Sequence, residues 1–97
     1  MPAFQLIQNG TYCTEYTKLN TENNFLNLYE CAEKVSLSKG EKGCNATNGI
    51  FFTNATKGHA SGYCFCSRDD CTNRSWSSTN LTIYKLLDGK ILNSILP

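Results

Sequence analysis

IFFTNATKGHASGYCFC, residues 50–66, is the stretch on which the fold turns. Ile50, Phe51 and Phe52 form the apolar core of one strand, and Tyr63, Cys64, Phe65 and Cys66 form a second. Asn54 through Ser61 supply a polar, glycine-containing connection, so 44–66 reads as a β-hairpin. Cys64 and Cys66 are two residues apart, and side chains on a strand alternate between faces. Both thiols therefore leave a regular strand on the same side.

N-terminal to the hairpin, the apolar residues change period. Phe25, Leu28, Tyr29, Ala32 and Val35 recur at i, i+3, i+4, i+7 and i+10, one stripe of an amphipathic helix. Thr21 is placed to cap it, and Glu22 lies in the first turn, where the helix dipole favours a carboxylate. Glu30, Glu33 and Lys34 face away from the stripe. Cys31 lies beside it, close enough to bridge to whatever the helix covers. The polar run Ser36–Gly43 ends the helix as an exposed loop. Earlier still, residues 3–7 alternate as a short strand, and Asn9-Gly10 is a turn signal. Tyr12, Cys13 and Tyr16 show no useful period.

C-terminal to the hairpin, residues 67–80 are polar and loop-like, and Leu81–Leu86 reads as a strand. Asp88-Gly89 is a two-residue turn signal. Lys90–Leu96 fits a returning strand or a short helix. Residues 87–97 form an apolar extension beyond the last cysteine, within a single domain spanning 1–97. No internal repeat is visible.

Six cysteines lie between Cys13 and Cys71 of a 97-residue chain. A domain this short hides only about 60–65 % of the surface its unfolded chain exposes, so covalent staples help. An even cysteine count in so short a chain reads as a disulfide framework, which places the protein in an oxidising, extracellular setting. Five Asn-x-Ser/Thr acceptors point to the same compartment, at Asn9, Asn45, Asn54, Asn73 and Asn80. The Asn and Ser/Thr content alone would produce about two. N-linked glycans are thus expected partners. The formal net charge is +1 with no run of like charges, so neither nucleic acid nor an anionic membrane is an expected partner. No stretch approaches the roughly 20 apolar residues of a membrane span. The first ten residues lack a basic region followed by a long apolar one. A secreted protein of this sequence has therefore lost its signal peptide or is represented by a fragment.

Reactive constellations are sparse. His59 is the sole histidine and sits in the hairpin connection, with no patterned nucleophile beside it. Cys64, Cys66 and Cys71 form one loose cluster rather than the paired knuckles of a zinc site. Asp69-Asp70 begins like a calcium loop, but Cys71 occupies a ligand position and no Gly or distal Glu follows in register. No phosphate-cradling glycine loop is present. No enzyme activity and no cofactor are expected. Trp76 among Ser and Thr, and Tyr63 in the hairpin, are candidate ligand-binding rings, which with Tyr12, Tyr16 and Phe65 could form an aromatic surface for sugars. The competing use of such aromatics is to fill a small core.

Taken in order, these features are Gly10, Tyr12 and Cys13 after a strand, then Cys31-Ala32-Glu33-Lys34 in a helix, then Gly43-Cys44. Phe51-Phe52, Gly62 with Cys64, and Ile83-Tyr84-Lys85-Leu86 follow. The order resembles PAN/apple-like domains of extracellular proteins, especially divergent versions in secreted proteins of microbial eukaryotes, over roughly residues 4–86. The resemblance implies an α+β fold, a small antiparallel sheet crossed by one helix. It also implies a Cys13–Cys71 bridge, Cys31 joined to Cys66 or Cys64, and Cys44 joined to the other. The chain departs from the family pattern at Lys34 and Val35, where apple helices commonly carry a second cysteine, so Cys44 must find a different partner. The expected function is an extracellular, glycosylated structural or adhesive module, a self-assembling subunit of a coat, matrix or filament. There the apolar segment Lys85–Pro97, which includes the 87–97 extension, would add a strand to a copy of itself or to another extracellular protein. The alternative is a secreted module that binds carbohydrate or protein.

Overall fold

A computed structural model of the chain describes residues 3–20, 24–38, 40–41, 43–44, 49–55, 61–77 and 80–87. The hairpin lies at its centre. Strands β4 (Ile50–Thr53) and β5 (Cys64–Ser67) pair antiparallel, with Phe51 opposite Cys66, Phe52 opposite Phe65 and Thr53 opposite Cys64. On the other side of β4 runs β7 (Thr82–Leu86), also antiparallel. The edges are β1 (Phe4–Asn9), paired with β7, and β3 (Tyr16–Lys18), paired with β5. The result is an antiparallel five-stranded sheet in the order β1-β7-β4-β5-β3.

Registers sort the side chains into rows that alternate between the two faces. Cys66, Phe51 and Tyr84 form one row; Cys64, Thr53, Thr82 and Asn9 form a second on the same face. Lys18, Phe65, Phe52 and Ile83 form a row on the opposite face. Each face has its own core. The helix α1 (Leu28–Ser38) buries Leu28, Cys31, Ala32 and Val35 against Phe51, Cys64, Cys66 and Leu86 on the first face. Phe4 joins this core, 5.7 Å from the Tyr29 ring and 5.6 Å from Tyr84. Burial on this side pushes the Tyr84 phenol above the usual tyrosine pKa.

A two-stranded ribbon of β2 (Thr11–Cys13) and β6 (Arg74–Trp76) lies against the second face. Cys13, Ile50, Phe52, Cys71 and Ile83 are buried there. Gly10, at φ +69°, makes the step from the sheet edge into the ribbon, a backbone conformation that costs an L side chain energy. No polar side-chain atom among the described residues is buried without a hydrogen bond. Asn20 shows how this is achieved. Its Nδ2 donates to the carbonyls of Asn24 and Gly62, each at 3.1 Å, while its Oδ1 accepts from Cys64 N at 3.0 Å.

Three bridges staple this arrangement: Cys13–Cys71, Cys31–Cys64 and Cys44–Cys66, with Cα separations of 5.2, 5.4 and 5.5 Å. Cys31–Cys64 fastens the helix to β5. Cys44–Cys66 fastens the turn after the helix to the same strand. Cys13–Cys71 closes 58 residues of chain, the longest loop, for which chain-entropy estimates give about 4 kcal/mol.

Two sequence expectations are corrected. The helix starts at Leu28 rather than after Thr21, and it runs to Ser38, beyond the stop expected at Ser36. Its cap is Asn27: Asn27 Oδ1 accepts from Glu30 N at 2.8 Å, and Glu30 Oε1 accepts from Asn27 N at 2.9 Å. This reciprocal pair satisfies two amides at the helix start. Phe25 thereby falls outside the helix and packs on Tyr63. The polar stretch 67–80 contains a strand, β6, because its backbone pairs with β2. Thr21, Glu22, Asp88-Gly89 and 90–97 lie outside the described residues. Removing the cap tests the corrected helix start. Asn27→Ala is expected to lower unfolding stability by about 1 kcal/mol in a non-reducing urea titration. An unchanged midpoint would place the helix start elsewhere.

Candidate functional site

Phe52 and Phe65 face each other across the central hairpin, and their rings stack with centroids 4.8 Å apart and planes 12° from parallel. Tyr16, from the edge strand β3, stands edge-on to both, 5.4 Å from Phe52 and 5.3 Å from Phe65. Tyr12, from the ribbon, lies 6.0 Å from Phe52 and 6.3 Å from Tyr16. Edge-to-face and offset-stacked packing are the arrangements that ring quadrupoles favour.

These rings floor an open cleft of about 270 Å³, completed by Trp76, Ser77 and Leu81. Phe52 is the buried floor, 1 % exposed; Trp76 is the rim, 80 % exposed. The ribbon register explains the placement of Trp76. It pairs with Thr11, next to Tyr12, and the chain is held beyond it by Ser77 N donating to Gly10 O at 2.8 Å. None of the seven lining residues carries a charge. The cleft thus offers ring faces, phenolic hydroxyls and one serine, which suit a neutral ligand with an apolar face and hydroxyl groups.

The two candidate ligand rings separate. Trp76 lies in the cleft. Tyr63 lies beside it, 6.4 Å from Phe65, with the Lys18 ammonium 4.0 Å over its ring and Phe25 edge-on at 5.1 Å. Tyr63 is therefore a packed ring and not part of the cleft lining. The backbone of Tyr63 is also held: its carbonyl accepts from Thr53 Oγ1 at 2.6 Å and its amide donates to Asn54 Oδ1 at 2.9 Å. A Cβ built on Gly62 would overlap Asn54 Oδ1, so this neck of the hairpin needs glycine there.

The sequon asparagines are spread over different surroundings. Asn54 is half-buried in the hairpin neck. Asn9, Asn73 and Asn80 are exposed. Asn9 Oδ1 accepts from Thr82 Oγ1 at 3.3 Å, in the row on the helix face. Asn73 lies at the far end of the ribbon, where its carbonyl accepts from Thr14 N at 3.1 Å. Asn80 takes a left-handed backbone, φ +61°, immediately before the cleft residue Leu81. Asn45 and His59 lie outside the described residues. All six cysteines are in bridges. The Asp69 carboxylate accepts from Cys71 N at 2.8 Å and serves the turn before Cys71. No group of three or more His, Cys, Asp or Glu among the described residues is placed to hold a metal ion. No helix among them is long and apolar enough to cross a membrane.

No protein-family model, curated protein or solved structure matches the chain.

Of the rings grouped in the sequence as a surface for sugars, Tyr12, Tyr16, Phe65 and Trp76 come together in the cleft and Tyr63 does not; Phe52, read there as strand core, is the ring that sequence reasoning missed. The faint signal was the density of aromatics around the cysteines. The division between floor and rim has a direct consequence. Phe52→Ala is expected to cost about 3–5 kcal/mol in unfolding stability, the range for emptying a buried aromatic site. Trp76→Ala is expected to stay within about 0.5 kcal/mol of the parent, as exposed substitutions do. Equal costs would mean that Trp76 is part of the core.

Proposed function

We propose that the chain is an extracellular, N-glycosylated adhesive module, PAN/apple-like in kind, whose aromatic cleft binds a neutral carbohydrate. The observation that carries this reading is an exposed Trp76 at the rim of an uncharged cleft lined by Tyr12, Tyr16, Phe52 and Phe65. A pyranose has one face of C–H groups, which packs on an aromatic face, and a rim of hydroxyls, which pairs with phenol and serine oxygens or with water. The three disulfides and the five sequons support secretion, since both belong to the oxidising export route. An α+β sheet with one helix across it supports the PAN/apple-like likeness. On the same reading the module is a binding protein and not an enzyme. The self-assembling form of this function rests on the apolar segment 85–97, of which Lys85 and Leu86 already pair within the sheet in β7 and 88–97 lie outside the described residues.

A glycan array probed with the deglycosylated protein tests the assignment, because the protein's own chains then cannot compete. A neutral oligosaccharide is expected to bind, and Trp76→Ala to weaken it about tenfold or more, the scale of a single hot-spot ring. Tyr63→Ala is expected to bind as the parent does. Absence of binding to any sugar, or full binding by Trp76→Ala, would remove the cleft as the site.

A further inference from the structure

The cleft has a sugar acceptor at its margin. Asn80 is the first residue of an Asn-Leu-Thr sequon, and the middle residue of that sequon, Leu81, lines the cleft. Leu81 O accepts from Thr11 N at 3.1 Å, and Thr11 is the register partner of Trp76. Asn80 and Trp76 therefore flank the same short segment of β2. The backbone of Asn80 is left-handed, which breaks the strand alternation just before β7 and leaves its side chain exposed. Asn tolerates this conformation better than most residues with a side chain.

We propose, on the extracellular glycoprotein reading above, that the occupant of the cleft in the secreted protein is the protein's own Asn80-linked glycan. Its core sugar lies on the Trp76 ring and covers the Tyr12–Tyr16 floor.

Three observations single out Asn80 among the described sequons. Asn9 belongs to the Thr82–Thr53–Cys64 row, which faces the helix, while the cleft is built on the Phe52–Phe65–Ile83 row of the opposite face. A glycan on Asn9 is thus directed away from the cleft. Asn73 precedes Arg74, which pairs with Cys13 at the end of the ribbon opposite the Trp76–Thr11 pair. Asn54 is half-buried with its Oδ1 engaged. An exposed tryptophan at the rim of an aromatic cleft is an apolar patch that a secreted protein would otherwise present to every partner. A tethered sugar covers it intramolecularly, at the high effective concentration that tethering gives. A foreign carbohydrate then has to displace it, so the Asn80 glycan sets the threshold for binding.

Trp76 is the only tryptophan in the chain, so its fluorescence reports the cleft directly. The experiment compares acrylamide quenching of the secreted glycoprotein with that of Asn80→Gln, Asn9→Gln and Asn73→Gln made in the same cells. Site occupancy is read by peptide mass spectrometry. The expected result is an occupied Asn80, with quenching of Trp76 rising severalfold in Asn80→Gln and unchanged in the other two variants. An unoccupied Asn80, equal quenching in Asn80→Gln and the parent, or an equal rise in Asn9→Gln would overturn the proposal. Failure of the foreign-ligand reading is separate: it appears as no sugar bound by the deglycosylated protein, whatever the quenching shows.

Discussion

The pleat of β5 is the constraint from which the rest of the structure follows. Its period of two sends Cys64 and Cys66 to one face and Phe65 to the other. The first face must hold a helix, because Cys31 is joined to Cys64, and must hold the turn after that helix, because Cys44 is joined to Cys66. The helix cannot slide or lift while both staples are closed. Among the described residues the opposite face holds the Phe52–Phe65 stack, with a ribbon of two three-residue strands laid beside it. The cover on this face, among the described residues, leaves the cleft lined by Tyr12, Tyr16, Phe52, Phe65 and Trp76.

The division of labour is visible in burial. Residues on the helix side, such as Phe51, Val35 and Ala32, are sealed from solvent. On the ribbon side Phe52 is sealed, Tyr12 and Phe65 are half-buried, and Tyr16 and Trp76 are exposed. Rigid floor and exposed rim together give a site whose shape is set by the fold and whose contact surface costs little to keep available. The third bridge, Cys13–Cys71, anchors both strands of the ribbon at one end, since Cys13 ends β2 and Cys71 precedes β6. The Trp76 end of the ribbon is held by backbone hydrogen bonds, through Gly10, Ser77 and Leu81.

Much of this was legible in the sequence, and what was hidden has physical reasons. The hairpin could be read because Ile50–Phe52 and Tyr63–Cys66 are strongly apolar and are separated by a polar, glycine-containing connection. The helix could be read from its stripe, but its start could not. Phe25 continues the helical spacing while packing on Tyr63, and Asn27 caps in place of Thr21 because Glu30 completes the reciprocal pair. The strands β2, β3 and β6 are three residues each, too short to show a period, and exist because pairing partners elsewhere in the chain satisfy their amides. The resemblance to PAN/apple-like domains left Cys31 two possible partners on β5, and the structure joins it to Cys64. Trp76 stands out in the sequence by its polar neighbours, and Tyr12, Tyr16 and Phe65 can be grouped with it, but Phe52 reads as core and Tyr63 as a partner. The rings that make it useful come from positions scattered between Tyr12 and Phe65, which only the folded sheet assembles.

The staples on β5 are the most direct point of attack. Peptide mass spectrometry of the native protein under non-reducing conditions, after cleavage at Phe65 to part Cys64 from Cys66, reads which thiol each one holds. The account predicts Cys31 linked to Cys64 and Cys44 linked to Cys66, with Cys13 linked to Cys71. Free thiols, or Cys31 linked to Cys66 and Cys44 to Cys64, would contradict it.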